Sequence, residues 1–507
     1  YASSAIADGF SHLLVGVAVN TSESEEGYVY FDDMILEDDH SGSPTGFVRG
    51  AVEALKEAEV GVIRFYGTAD LGSLTRQITA RSTTQASWSF LSLESFYRLS
   101  TVDTVLDQWM LLCQEVKAQP WITVGSANTP TDWYQLISYL AAPADFDEDA
   151  GRRAAHGYAA PWTEQFEKIY LEIGNEWWNS MFAPFHIWEP AKYGELCRTI
   201  TRRIEQHPHY DPEKFEIIAG GWAINAHHWN GIVDANAEGI DRVSLAPYLV
   251  HEMNDTNSRE AQFLTVFADV EAYRQGPAEQ IRQELQENAK GTGLAVYELN
   301  THITGGTASP EIVSGIAPSA AAGIAVLDQA MSVMEYLKAD PVIYFTLLQR
   351  SYDGRLGLWG NLIREADASL RPRPVWHGLR LANQHLIEGS MVRTAVEGSL
   401  FWSQPENGSV PAIDEVPYLH AYAFRPAPHR VNLLIINRHL DQPVRVRVEL
   451  PFTPRDSVKR ITLSGEEPGS HNEETEQVSL REDRMDRFTG IVPVPACAAV
   501  VYQFEAR

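Results

Sequence analysis

The sequence predicts a (β/α)₈ TIM barrel with a C-terminal β-sandwich and a short N-terminal β-rich segment. Three observations predict it. Between about residues 46 and 387, short apolar strands alternate with helical segments, which is the order of a parallel sheet covered by helices. After residue 387 the helical pattern stops, and only strands and turns follow. Before residue 46 stand a few strand-like stretches, too few to close a sandwich alone. The expected divisions are therefore 1–45, 46–387 and 388–507.

In the first division, His12 to Val19 is strand-like, and so are Tyr28 to Phe31 and Met34 to Leu36. The polar turn Thr21 to Gly27 separates the first two. Such a segment must lean on the C-terminal strands, on residues upstream of Tyr1, or on another chain. A homo-oligomer or a companion chain is thus an expected partner.

In the second division, Val48 to Ala58 reads as a helix and Val60 to Phe65 as a strand. The alternation continues with helix Val102 to Lys117 and strand Pro120 to Val124, then a helix closing at Glu164 to Glu167 and strand Ile169 to Ile173. Helix Tyr193 to Gln206, strand Phe215 to Ala219 and strand Val243 to Leu245 follow. A long helical stretch, Thr265 to Asn288, leads to strand Leu294 to Tyr297. Helix Ala320 to Leu337 precedes the last strand, Val342 to Phe345. That is one strand short of eight. The first must lie before residue 46, and Val15 to Val19 is the candidate, although the same residues also read as sandwich.

The third division holds strands at Val392 to Val396, Tyr418 to Phe424, Val431 to Asn437, Val444 to Leu450, Val458 to Leu463, Gln477 to Leu480 and Ala498 to Phe504. Gly, Pro and Asp/Asn turns divide them.

Composition narrows the function. The 507 residues are 44% hydrophobic, enough to bury a real core. The formal charge of −28 argues against nucleic acid or an anionic membrane as partner. The three cysteines cannot build a disulfide scaffold, and no apolar run is long enough to span a bilayer. No cofactor or metal is expected. The adjacent His227 and His228 point apart, no HExxH occurs, and neither GxGxxG nor GxSxG is present. The 13 tryptophans suit sugar platforms as well as cores. A start at Tyr1, the acidic balance and the tryptophans favour a secreted or extracellular protein, with the cytoplasm as the alternative.

Barrels present their reactive groups at the C-terminal ends of strands. Two such ends carry carboxyls. In Leu171-Glu172-Ile173-Gly174-Asn175-Glu176-Trp177-Trp178, alternation puts Leu171 and Ile173 on one face, and Glu176 emerges at the mouth beside two indoles. A carboxyl so poorly solvated should have a raised pKa, which suits a general acid. In Ala295-Val296-Tyr297-Glu298-Leu299, Glu298 ends an apolar strand and needs Arg or Tyr donors. These strands lie nearly opposite in a closed barrel. Two facing carboxylates are what glycosidic hydrolysis requires. Arg64 is placed to orient Glu298, Asn175 to bind a sugar hydroxyl, and Tyr248 to touch the nucleophile or the sugar. His251 and His302 are candidate cleft residues, Asn128 a polar wall, and Trp178, Trp222 and Trp359 stacking platforms. Arg64, Tyr248, the two histidines and the three tryptophans also have a purely structural reading.

Ile173-Gly174-Asn175-Glu176 with Tyr297-Glu298 resembles the acid/base and nucleophile strands of clan A glycoside hydrolases. It is most similar to family 51, which holds α-L-arabinofuranosidases and some endoglucanases. Ala51 to Glu57 leading into Gly61 to Phe65, Val105 to Cys113 leading into Ala118 to Val124, and Asn128-Thr129-Pro130 with Asp132-Trp133 resemble further segments of that family. The resemblance implies that Glu176 is the acid/base and Glu298 the nucleophile of a retaining double displacement. The carboxyls would then stand about 5–5.5 Å apart, with Asn175 on the sugar 2-hydroxyl. It implies an oligo- or polysaccharide substrate of plant or microbial origin, cleaved in arabinofuranosidase-like or endo-β-glucanase/xylanase-like fashion. The chain departs from the family where Tyr66-Gly67-Thr68-Ala69-Asp70 replaces Pro-Gly-Gly-Asn, where Leu299 follows Glu298, and where Pro247 replaces a His. These departures imply an altered glycone pocket. The alternative is a non-catalytic carbohydrate-binding protein on the same scaffold.

Overall fold

The computed structural model describes residues 47–65, 87–92, 95–101, 106–125, 128–179, 186–187, 189–224, 239–256, 258–288, 291–365 and 369–507. The N-terminal strand-like segment, the candidate first strand Val15 to Val19, the Tyr66–Asp70 stretch and His227–His228 lie outside the described residues.

Seven parallel strands form one sheet in chain order: β1 (Val62–Phe65), β2 (Gln119–Val124), β3 (Ile169–Ile173), β4 (Phe215–Gly220), β5 (Arg242–Leu245), β6 (Gly293–Val296) and β7 (Ala339–Val342). Sequential order throughout is what repeated right-handed βα units generate, and the sheet curls into a nearly closed barrel. The last strand is displaced from the sequence expectation: it ends at Val342, and Tyr344 and Phe345 lie in the loop beyond. Alternation works at this end only for three residues, too few to fix a boundary.

The helices are α1 (Arg49–Glu57), α2 (Leu106–Val116), α3 (Pro130–Ala141), α4 (Glu148–Ala155), α5 (Pro190–Glu205), α6 (Arg259–Gln275), α7 (Pro277–Asn288), α8 (Pro310–Ile316), α9 (Ala320–Tyr336) and α10 (Pro374–Leu381). Thr129 caps α3 with its hydroxyl on the Asp132 N–H, and Asp132 returns a bond to the Thr129 N–H. Two expectations are corrected. The stretch read as one long helix is broken at Gly276-Pro277, where proline cannot donate and so starts a new helix. The helix expected to close at Glu164 to Glu167 ends at Ala155, and only a short 3₁₀ turn, Trp162–Glu164, follows.

The strands divide their side chains between two surroundings. Ile122, Leu171, Ile173, Ile217, Val243 and Val296 face the helices. Trp121, Tyr170, Ile218, Ala295 and Tyr297 pack together on the inner face. Burying both faces accounts for the near-continuous apolar character of these strands. Cys113 is a buried small hydrophobe, as its setting in α2 suggests.

Beyond α10 lies a six-stranded antiparallel sheet, in the order Ser390–Val392, Leu419–Ala427, Arg430–Asn437, Ala498–Glu505, Val458–Ser464, Ser479–Met485. One face, with Leu434, Ile436, Ile461 and Val501, joins the barrel core. The other, with Leu433, Ile435, Val500 and Tyr502, packs on the two-stranded ribbon Val444–Arg447 with Ile491–Val494. The ribbon's second strand, and the pair Phe401–Gln404 with Ile413–Pro417, are additions to the sequence reading. A buried ionic cluster ties the sheet to the barrel. Arg438 bonds Asp328 of α9 at 2.6 and 2.8 Å, while His420 meets Asp328 at 2.9 Å and Glu271 of α6 at 2.7 Å. The Tyr422 hydroxyl donates to Asp328 at 2.7 Å.

Candidate active site

A polar layer fills the barrel where the inner-face side chains reach the C-terminal ends of the strands. Arg64 of β1, Thr123 of β2, Glu172 of β3 and Ser244 of β5 contribute to it. Strand parity puts them there. Arg64 and Glu172 occupy the positions two beyond Val62 and Tyr170, which point into the same interior.

Arg64 is the hub. Its Nε donates to Glu172 Oε2 at 2.7 Å, its Nη1 to Glu298 Oε1 at 2.9 Å, and its Nη2 to Asn175 Oδ1 at 2.7 Å. The guanidinium also lies 4.7 Å from the centre of the Tyr297 ring. Glu298 receives a second bond from the Tyr248 hydroxyl, at 2.7 Å on Oε2. The donors that an apolar strand end demands are thus an arginine and a tyrosine.

Glu176 stands just beyond β3. Gly174 has φ +73° and Glu176 itself φ +40°, a conformation uncommon outside glycine. The turn is held by the Asn179 N–H on the Glu176 carbonyl at 2.7 Å. The carboxylate accepts from Tyr297 Oη at 3.0 Å and from Asn179 Nδ2 at 2.9 Å. Backbone held in such sparsely populated regions recurs at active sites.

The two carboxyls have different surroundings. Burial raises the pKa of both, and the charge of Glu176 raises that of Glu298 further. Against this, Glu298 has the Arg64 cation in direct contact, whereas the two groups that bond Glu176 are neutral. A pair so coupled loses its protons in two steps. The first negative charge belongs on Glu298, beside the guanidinium, and the remaining proton on Glu176.

An aromatic run extends from Glu298. The His302 ring is 4.8 Å from that of Tyr248, 5.0 Å from that of His251 and 5.2 Å from that of Trp359. Burial pushes His302 down to about 3 and also lowers His251, so both imidazoles are neutral near pH 7. His302 Nδ1 and Trp359 Nε1 are buried without a hydrogen-bond partner. Asn300 fastens this loop system through its Nδ2, which donates to the Phe345 and Trp359 carbonyls at 2.7 and 2.8 Å. On the β3 side, Trp178 stacks on Trp222 with centroids 6.1 Å apart and planes 10° apart.

Of the residues singled out from sequence, Arg64, Asn175, Tyr248 and Glu298 meet in one bonded cluster, and Tyr297 joins it to Glu176. His251, His302 and Trp359 extend that cluster. Trp178 and Trp222 stack with each other. Asn128, in the loop after β2, donates from Nδ2 to the Gly125 carbonyl at 3.0 Å. Trp177, beside Trp178, is core, with its Nε1 on the Gly220 carbonyl at 2.6 Å and its ring against Tyr193. Sequence reasoning missed Glu172, Asn179 and the Tyr297 hydroxyl as members of the site. The inward parity of Glu172, set by outward Leu171 and Ile173, was the available signal. Among the described residues no group of three or more His, Cys, Asp or Glu is arranged to hold a metal ion. No described helix is long and apolar enough to cross a membrane.

No protein-family model matches the chain, and no curated protein matches it in sequence. Solved structures do match its fold. The GH51 α-L-arabinofuranosidase of Thermotoga petrophila aligns with a TM-score of 0.72 at 16% identity, over 92% of each chain. The α-L-arabinofuranosidase of Thermotoga maritima, solved with arabinose, aligns with a TM-score of 0.68 at 17% identity, again over 92% of each. A 4-O-α-L-rhamnosyl-β-D-glucuronidase from Fusarium oxysporum aligns with a TM-score of 0.51 at 14% identity, over 89% of this chain and 90% of that one. The chain therefore has the barrel-plus-sheet fold of these enzymes.

Proposed function

We propose that this protein is a retaining glycoside hydrolase acting on oligo- or polysaccharide, with α-L-arabinofuranosides the first substrates to try. One observation carries the reading. A buried carboxyl, Glu298, and a half-buried one, Glu176, at the mouths of two barrel strands are bonded into one cluster, yet one is held by a cation and the other by neutral donors. That asymmetry supports dividing the labour between a nucleophile and an acid. The fold shared with α-L-arabinofuranosidases supports the choice of first substrate.

In this reading Glu298 attacks the anomeric carbon as carboxylate while Glu176 gives its proton to the departing glycosidic oxygen. A glycosyl ester on Glu298 results. Glu176, now ionised, takes a proton from water; the resulting hydroxide equivalent displaces Glu298, and the free sugar leaves with its original anomeric configuration. Arg64 and Tyr248 stabilise the Glu298 carboxylate before attack and again when it departs as leaving group. The neutral imidazole of His302, the Trp359 indole and the Trp178–Trp222 pair are suited to hydroxyls and faces of sugar rings.

The test is hydrolysis of aryl α-L-arabinofuranoside beside aryl β-glucoside and β-xyloside, with product lengths from arabinan, glucan and xylan. NMR of the first-formed product gives the anomeric outcome. Turnover with retention, abolished in Glu298→Ala, is the expected result. Inversion would remove the double displacement. Glycan binding without any turnover would leave the carbohydrate-binding reading in its place.

A further inference from the structure

Glu172 is a third carboxylate in the barrel and has no part in the chemistry above. It is 1% exposed. Its Oε2 accepts from Arg64 Nε at 2.7 Å, Trp121 Nε1 at 2.8 Å and Thr123 Oγ1 at 2.7 Å, and its Oε1 accepts from Ser244 Oγ at 3.2 Å. The donors come from β1, β2 and β5, so the carboxylate is clamped from three strands besides its own. Burying an anion is expensive, and packing alone would be served equally well by a neutral side chain. Of these four donors Arg64 alone is charged, and its other two nitrogens reach Glu298 and Asn175. A guanidinium is a rigid planar fork, so fixing Nε fixes the direction of Nη1 and Nη2.

We propose that Glu172 is a positioning residue for the reaction centre: it aims Arg64 at Glu298 and, as a second anion on the same cation, keeps the Glu176–Glu298 pair from losing its proton too readily. The inference rests on the hydrolase reading of that pair. The charged and titratable groups facing the pair are Arg64 from β1, Glu172 from β3, Tyr248 after β5 and Tyr297 after β6, with the His302 ring against Tyr248. Of these, only Arg64 is cationic near pH 7, and without Glu172 its whole charge would fall on the pair. The electrostatic effect of Glu172 on both carboxyls is upward.

The experiment compares the intact protein with Glu172→Gln and Glu172→Asp. The carboxyls of Glu176 and Glu298 are followed by ¹³C NMR of labelled glutamate, with Glu176→Gln and Glu298→Gln as assignments. The pH profile of kcat/KM on an aryl glycoside is recorded beside it. In Glu172→Gln, both proton losses move to lower pH by about one to two units, and the profile follows. Glu172→Asp keeps the charge but withdraws it from Nε, so the titration stays in place while kcat/KM falls about tenfold. An unmoved titration in folded Glu172→Gln overturns the proposal, and so does an equal shift in both variants. If Glu172→Gln does not fold, wild-type kcat/KM in Glu172→Asp overturns it. Absence of turnover on every glycoside counts against the hydrolase reading alone, because the titration is read without turnover.

Discussion

The Tyr297 hydroxyl lies 3.0 Å from Glu176 Oε1, so the residue immediately before one carboxyl of the pair donates to the other. Its ring meanwhile rests on the guanidinium that binds Glu298. Tyr297 thereby couples two strand ends. Its hydrogen bond favours the ionised form of Glu176, so removing it raises that pKa further. Tyr297→Phe is expected to move the alkaline limb of the kcat/KM profile upward by about one pH unit. A limb that stays put, or moves down, would show that the bond does not govern the acid.

Replacement of the two carboxyls should separate their roles. Glu298→Ala is expected to abolish turnover of every glycoside. Glu176→Ala should reduce rates on poor leaving groups by about 10²–10⁴ while sparing dinitrophenyl glycosides, which need no protonation. Equal losses on good and poor leaving groups would count against Glu176 as the acid.

Arg64 neutralises two buried carboxylates with one charge. Arg64→Met is therefore expected to cost about 3–5 kcal/mol of stability near pH 8. The loss should shrink toward pH 5, where the stranded carboxyls take up protons and the buried charge disappears. Urea unfolding at the two pH values measures this, and a cost independent of pH would mean that the ionic role is minor.

The cluster joining sheet to barrel gives a separate pH dependence. Burial and Arg438 depress the pKa of His420, but Asp328 and Glu271 outweigh them and the net shift is upward. Its contribution to stability is thus complete below the unfolded value of about 6.5 and is lost as pH rises through the folded one. The carboxylates work the other way. Burial raises Glu271, but His420 and Arg438 overcome it and bring it down to about 2, and Asp328 is lowered by the same cations. Their contribution is complete above the ordinary carboxyl range and is lost as pH falls toward the folded values. The stability advantage of the wild type over His420→Gln should accordingly be largest between about pH 5 and 6.5 and decline above. An advantage that grows from pH 7 to 9 would contradict the charged imidazole.

Much of this arrangement was legible in the residues. Apolar strands such as Ile169–Ile173 carry their own period, and Asn175-Glu176 at such an end is conspicuous because it interrupts an apolar run. Arg64 and Tyr248 followed from asking what a buried Glu298 requires. Glu172 escaped because a charge inside a strand looks like the polar half of an alternation, and only the closed sheet turns that half inward. The break at Gly276-Pro277 was hidden by helical residues on both sides, which continue the pattern through the proline. The hairpin Ser351–Tyr352 with Arg355–Leu356 has strands too short for any period.

The segment Ala498–Glu505 occupies an interior place in the six-stranded sheet, between Arg430–Asn437 and Val458–Ser464. On the ribosome, the sheet can therefore not zip up until residues near 500 have emerged, long after the barrel strands. Until then the flank of α9 that meets this sheet stays uncovered, and such exposed apolar surface favours aggregation over folding.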